Sequence, residues 1–72
     1  MSLKNLETYG QSLIGKSCQS RLLTELTATG KQVLRAPMKI TGYEIIEEFR
    51  EPALMLIVDG ETVYEDTCIN IH

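Results

Sequence analysis

The sequence predicts an α+β fold, mostly β, in which one N-terminal helix precedes a strongly bent antiparallel sheet or small barrel. Three observations support this prediction. Apolar residues near the N-terminus recur at helical spacing, β-type segments follow from Gln32 onward, and Asp59-Gly60 is a strong two-residue hairpin signal. The 72 residues have the length of a single small domain, 1–72.

The predicted helix lies at the start of the chain. Its apolar stripe is formed by Leu3, Leu6, Tyr9, Leu13 and Ile14. Ser2 can cap its N-terminus, and Gly15 can adopt the left-handed conformation after its last turn. Gly10 in the middle weakens the helix by about 1 kcal/mol relative to Ala.

Residues 17–29 fit two structures. One helical face, closed by Gly30, would contain Cys18, Leu22, Leu23 and Leu26. The threonines, with Leu22 and Leu26 two steps either side of Thr24, also fit a strand. Strand is slightly favoured.

From Gln32 onward the sequence pattern is typical of strands. Met38 and Ile40 alternate with polar residues, and Gly42 marks a bend or bulge. Alternation resumes with Tyr43, Ile45 and Phe49, and because proline has no N–H to donate, Arg50-Glu51-Pro52 is predicted as a turn.

A second hairpin is centred on Asp59-Gly60. Leu54 to Val58 is the predicted central strand and Thr62 to Ile71 the returning strand, with Leu56 opposite Val63 and Met55 opposite Tyr64. Four or five short strands in so few residues would curl into a small barrel that removes their edges.

Charge is unevenly distributed along the chain. The net charge is −3, but residues 1–42 hold six basic and two acidic side chains, whereas residues 43–72 hold one basic and eight acidic. The favoured interpretation is neutralisation within one protomer; the other is a basic face of one protomer meeting an acidic face of the next. Because so short a chain buries a small core, a homo-oligomer is the default expectation.

Several function classes are disfavoured. Two cysteines, Cys18 and Cys68, and the terminal His72 form no zinc-ligand pattern, so we expect no cofactor or metal and two reduced cysteines. No catalytic Ser/His/Asp pattern fits, so we expect no enzyme. Without a signal sequence or an apolar run of about 20 residues, the expectation is a cytoplasmic protein that binds no membrane.

Gly10 to Ser17 matches the GxxxxGK[ST] pattern whose backbone amides cradle phosphates. That motif must follow a buried parallel strand, within a fold built of βαβ units of 30 or more residues each. A chain of 72 residues does not supply such a fold. Nucleotide binding is therefore a distant third interpretation.

Two groups of residues are candidate binding sites. Tyr43, Lys39 and Arg35 lie close in sequence around a bend and could bind single-stranded RNA, with Tyr43 stacking on a base. The alternative is that Tyr43 is a half-buried core residue. An acidic cluster is formed by Glu44, Glu47, Glu48 and Glu51. This cluster is either a solvated edge or, in an adaptor or inhibitor, the surface that binds another protein.

The order of these features resembles the Sm-like (LSm) family of small ring-forming RNA-binding barrels. Ser12 to Lys16 looks like its helix-to-strand junction, Ile40 to Ile46 like its first RNA-contacting loop, and Thr62 to Ile71 like its last two strands. The resemblance implies an SH3-like barrel, a ring-forming homo-oligomer and contact with RNA. This sequence departs from the family pattern at three places. It has Thr41 where the family has Asp, Ile45 where the family has Asn, and Glu65-Asp66 in place of an Arg-Gly pair.

Overall fold

The computed structural model describes residues 3–72. Its elements are α1 (Leu3–Leu13), β1 (Ser17–Ser20), β2 (Thr24–Leu26), β3 (Gln32–Leu34), β4 (Met38–Glu48), β5 (Glu51–Val58), β6 (Glu61–Tyr64), a 3₁₀ turn (Glu65–Thr67) and β7 (Cys68–Ile69). One helix followed by antiparallel strands confirms the α+β, mostly β class. The predicted cap at Ser2 lies outside the described residues.

Helix α1 packs on the sheet through Leu6, Gly10 and Leu13, all of which are buried. Gly10 has a role that helix propensity does not reveal. A Cβ at this position would lie 2.7 Å from ring carbons of Tyr43, so only glycine lets the helix approach that ring. Gly15 ends the helix with a φ of +92°, as predicted.

Five strands form one antiparallel sheet in the order β6-β5-β4-β1-β7, and β2 and β3 form a separate two-stranded hairpin. The preference for strand within residues 17–29 is confirmed, because β1 and β2 both fall there. Leu22, at 67% exposure, lies between these two strands and takes no part in the core.

The prediction of one returning strand from Thr62 to Ile71 is wrong. The 3₁₀ turn at Glu65–Thr67 interrupts it, so that β6 and β7 lie at opposite edges of the sheet. Because three residues join these two edges, the sheet must bend strongly. Within residues 3–72 no ladder joins β6 to β7, so the sheet does not close into a barrel.

The β4–β5 hairpin differs from its prediction at the turn. Its two turn residues are Phe49 and Arg50, and Pro52 lies inside β5 opposite Glu47. Glu48 and Glu51 close the turn as a hydrogen-bonded pair. The backbone nitrogen of residue 52 therefore points away from β4. Since β6 pairs only with residues 55–58, no neighbour requires an N–H at Pro52.

Two other strand predictions are confirmed. The register shifts between Ile40 and Gly42, which is the predicted bulge. Asp59 and Gly60 form the β5–β6 turn with φ values of 48° and 76°, as a type I′ turn requires. The predicted pairs Leu56–Val63 and Met55–Tyr64 are both present.

The core lies between α1 and one face of the bent sheet. Its buried apolar residues are Leu6, Leu13, Cys18, Met38, Ile40, Leu54, Leu56, Val58 and Val63. The molecule measures 45 × 27 × 18 Å, which is elongated for its size. No helix within residues 3–72 has the length and apolar character needed to cross a membrane.

Candidate functional site

The distal part of the β4–β5 hairpin extends beyond the rest of the sheet. Strand β1 pairs with β4 only at Met38 and Lys39, and β6 pairs with β5 only from Met55 onward. In residues 44–54 each strand of the hairpin therefore pairs with the other and with no third strand. We call this segment the hairpin arm.

An aromatic side chain stands at the tip of the hairpin arm. Phe49 is 92% exposed, the highest exposure among the large apolar residues described. Phe49 and Arg50 have φ values of 51° and 65°, in the left-handed region that Asn and Gly normally supply in two-residue hairpin turns. Each such L-residue costs roughly 1–2 kcal/mol. The tip thus combines backbone strain with a phenyl ring in water.

A groove of about 330 Å³ lies between the start of α1 and the hairpin arm. It is lined by Leu3, Ile45, Ile46, Glu47, Arg50 and Pro52. Its walls are mainly apolar, and its two charged residues have opposite signs. A groove of this kind accepts an apolar side chain and leaves charges at the rim for orientation.

The structure brings the predicted acidic cluster together on the hairpin arm. Because side chains alternate along a strand, Glu44 and Glu48 share one face of β4, and Glu51 lies opposite Glu48. Glu47 points to the other face, where it lines the groove. Three of the four, all but Glu48, are exposed.

Glu48 has a partner outside the hairpin arm. The Tyr64 hydroxyl donates a hydrogen bond of 2.5 Å to Glu48 Oε2. This bond, followed by the charge of Glu48, raises the pKa of Tyr64 above its ordinary value. The contact holds the Glu48 carboxylate next to the tip of the arm, whereas Glu44, Glu47 and Glu51 are exposed.

The structure does not bring the predicted nucleic-acid residues onto one surface. Tyr43 is half-buried, pairs with buried Leu56 and packs its ring against Gly10, so it faces the core. Lys39 is exposed between the buried residues Met38 and Ile40 and so points to the opposite face.

Arg35, the third predicted RNA contact, lies beyond β3. Its guanidinium Nη1 is 3.0 Å from Glu61 Oε2, and both side chains are substantially exposed. An ion pair of this kind contributes up to about 1 kcal/mol and weakens with salt. The Glu61 carboxylate offsets the positive charge of Arg35, which the binding of a phosphate would require.

The Gly10–Ser17 segment does not form a phosphate cradle. Helix α1 precedes it in place of a strand, and the amides of residues 14–17 donate to protein carbonyls. Gly15 N donates to Ile40 O at 2.9 Å and Ser17 N to His72 O at 3.0 Å. No amide among these four is left for a phosphate, which argues against nucleotide binding here.

Both cysteines are free thiols. Cys18 is buried, whereas Cys68 is half-buried. Across the described part of the chain, no three His, Cys, Asp or Glu side chains are grouped in a way that could hold a metal ion.

Sequence reasoning missed Phe49 and the groove. The alternation of Tyr43 and Ile45 continues to Phe49 and predicts a strand there. The signal that could have corrected this is the loss of alternation at Glu47-Glu48, which places two polar residues directly before Phe49.

Comparisons with protein-family models, with curated proteins and with solved structures found no match to this chain.

Proposed function

We propose that this protein is a non-catalytic module that binds another protein through the hairpin arm. The observation that carries the proposal is the tip, where two non-glycine residues adopt left-handed backbone and hold Phe49 in solvent. Strained backbone tends to occur at functional sites. Exposed aromatic residues are also the commonest anchors of protein interfaces.

The chemistry of the hairpin arm defines its partner. Phe49 requires an apolar pocket on the partner, and the groove beside Leu3 and Pro52 accepts an apolar side chain in return. The exposed carboxylates of Glu44, Glu47 and Glu51 favour basic residues around that contact and speed its formation. The arm therefore fits an apolar surface rimmed by Lys or Arg.

Site-specific photo-crosslinking in cells that produce the protein tests this proposal. A photoreactive phenylalanine replaces Phe49 in one variant and Leu26, which is 70% exposed on β2, in the matched control. We expect one dominant protein adduct from position 49, absent from position 26 and lost when Glu47→Lys and Glu51→Lys are combined. Equal adducts from both positions, or adducts insensitive to charge reversal, would contradict the proposal.

A second candidate function is an oligomeric Sm-like module that contacts single-stranded RNA. The topology supports it, because a helix precedes the sheet and β6 and β7 each have one unpaired side within the described chain. Such edges can pair between copies and extend the sheet. The RNA contact through Tyr43, Lys39 and Arg35 rests on their closeness in sequence and on the ability of an aromatic ring to stack on a base.

Solution mass by light scattering, with absorbance at 260 and 280 nm, separates the two functions. A ring-sized oligomer that binds single-stranded RNA with steep salt dependence would support the second. Lys39→Glu should then weaken binding, whereas Lys4→Glu on α1 serves as the control. A monomer free of nucleic acid leaves the protein-binding function.

A further inference from the structure

The two cysteines lie on adjacent strands, although 50 residues separate them in sequence. Cys68 pairs with Ser20 across β1 and β7. Cys18 precedes Ser20 by two residues, so its side chain lies on the same face of the sheet. Cys18 and Cys68 are therefore diagonal neighbours, and both pack in the core.

The Cys68 thiol lies beside Cys18, and the fold favours its protonated form. Burial raises the pKa of Cys68 to about 12, and the neighbouring Cys18 thiol adds to this effect. The Cys68 thiol also donates to the Tyr64 carbonyl at 3.6 Å. Because the thiolate is the reactive form, Cys68 is inert while β7 is docked.

Strand β7 is well placed to open. It has only two residues, lies at the sheet edge and pairs with β1 alone. Asn70, directly after it, has a φ of 54°, so the pairing with β1 is interrupted there and resumes only where Ser17 and His72 exchange two backbone hydrogen bonds. Short edge segments of this kind unfold locally at low cost, and opening returns Cys68 to water.

We propose that Cys18 and Cys68 form a reversible disulfide that ties β7 to β1, made by exchange with a small-molecule disulfide such as oxidised glutathione. The Cys68 thiolate, its proton lost to water, attacks one sulfur of that disulfide and displaces one thiolate. The Cys18 thiolate, formed in the same way, attacks Cys68 Sγ and displaces the second. The protein loses two protons and two electrons, and the oxidant becomes two thiols.

Closing the bond requires a small movement of β7. Diagonal neighbours in a sheet lie near the upper limit of disulfide reach. The edge position of β7 and the irregular pairing at Asn70 allow this movement. The bond would close a loop over most of the chain, so the midpoint of thermal unfolding should rise by roughly 10 °C or more.

Intact-mass spectrometry of the full chain, with thiol counting by alkylation after unfolding, tests this proposal. The protein is incubated with oxidised glutathione in buffer alone and in urea below the unfolding transition. We expect a monomer that has lost two hydrogens and both free thiols, formed faster in urea and reversed by dithiothreitol. Two free thiols after long incubation in both conditions, or only intermolecular dimers, would overturn it.

Two variants assign the order of the exchange. Cys18→Ala should stop at a single glutathione adduct on Cys68, and Cys68→Ser should retain an unreacted Cys18. An adduct on Cys18 in the second variant would refute Cys68 as the first thiol to react. If Cys18→Ala does not fold, the thiol count of the unsubstituted protein still decides whether the disulfide forms.

Discussion

Replacing the turn of the hairpin arm should stabilise the fold while it removes the proposed anchor, Phe49. The perturbation is the double substitution Phe49→Asn with Arg50→Gly, which installs the preferred Asn-Gly sequence of a type I′ turn. Phe49 is 92% exposed, so removing its ring sacrifices almost no burial. Relief of left-handed strain at φ values of 51° and 65° then dominates the change in stability.

The magnitude follows from the backbone. Relief at two L-residues is worth roughly 2–4 kcal/mol in total, and the flexibility of the new glycine in the unfolded chain offsets about 0.5–1 kcal/mol of it. The expected net gain is about 2 kcal/mol. For a 72-residue domain this raises the midpoint of thermal unfolding by roughly 10 °C.

Circular dichroism during thermal unfolding, at several protein concentrations, measures this gain. Asp59→Asn is the matched control, because Asp59 already occupies a compatible turn of the same length and should change stability by less than about 0.5 kcal/mol. A lower midpoint for the double variant would refute the reasoning, since it would mean that Phe49 packs within the fold.

Three further results are expected. Gly10→Ala should destabilise the fold by about 1–3 kcal/mol despite the better helix propensity of Ala, because the new Cβ would lie 2.7 Å from the Tyr43 ring. Urea unfolding measures this loss, and a more stable variant would contradict the close approach of the helix to the ring. The raised pKa of Cys68 contributes stability that is complete below pH 9.0, the ordinary pKa of a thiol, and is lost as pH rises toward about 12. Cys68→Ala should therefore flatten the decline of the urea unfolding midpoint at alkaline pH. An unchanged decline would mean that other groups cause it. A double-mutant cycle on Arg35 and Glu61 should give a coupling below about 1 kcal/mol that falls with added salt, whereas a larger, salt-independent coupling would show a pair shielded from solvent.

Predictions that rest on local backbone chemistry agree with the structure. The N-terminal helix, the left-handed Gly15 and the Asp59-Gly60 hairpin each depend on a few adjacent residues, which the sequence shows directly. Of the predicted apolar stripe only Leu6 and Leu13 are buried. The turn at Arg50-Glu51-Pro52 fails for the opposite reason. Whether a proline fits a strand depends on the neighbour facing its nitrogen, and only the tertiary structure shows that β6 stops short of Pro52.

The candidate RNA site shows how one residue changes a surface. In a regular strand Lys39 and Tyr43, four residues apart, would share a face. The bulge between Ile40 and Gly42 adds a residue and reverses the alternation, so that Tyr43 faces α1 and Lys39 faces away. Gly42 indicated a bulge or bend, but the direction of the side chains after it follows only from the observed register.

Departures from local rules concentrate in one short segment. Over residues 47–52 two L-residues adopt left-handed backbone, Glu48 lies directly opposite Glu51, and an aromatic ring stands in water. Like charges opposite each other in a ladder destabilise it, and this adds to the strain of the turn. Elsewhere, at Gly15, Gly42 and Asp59-Gly60, the residue types suit their conformations. When a chain obeys local rules elsewhere and violates three within six residues, function explains the exception better than folding does.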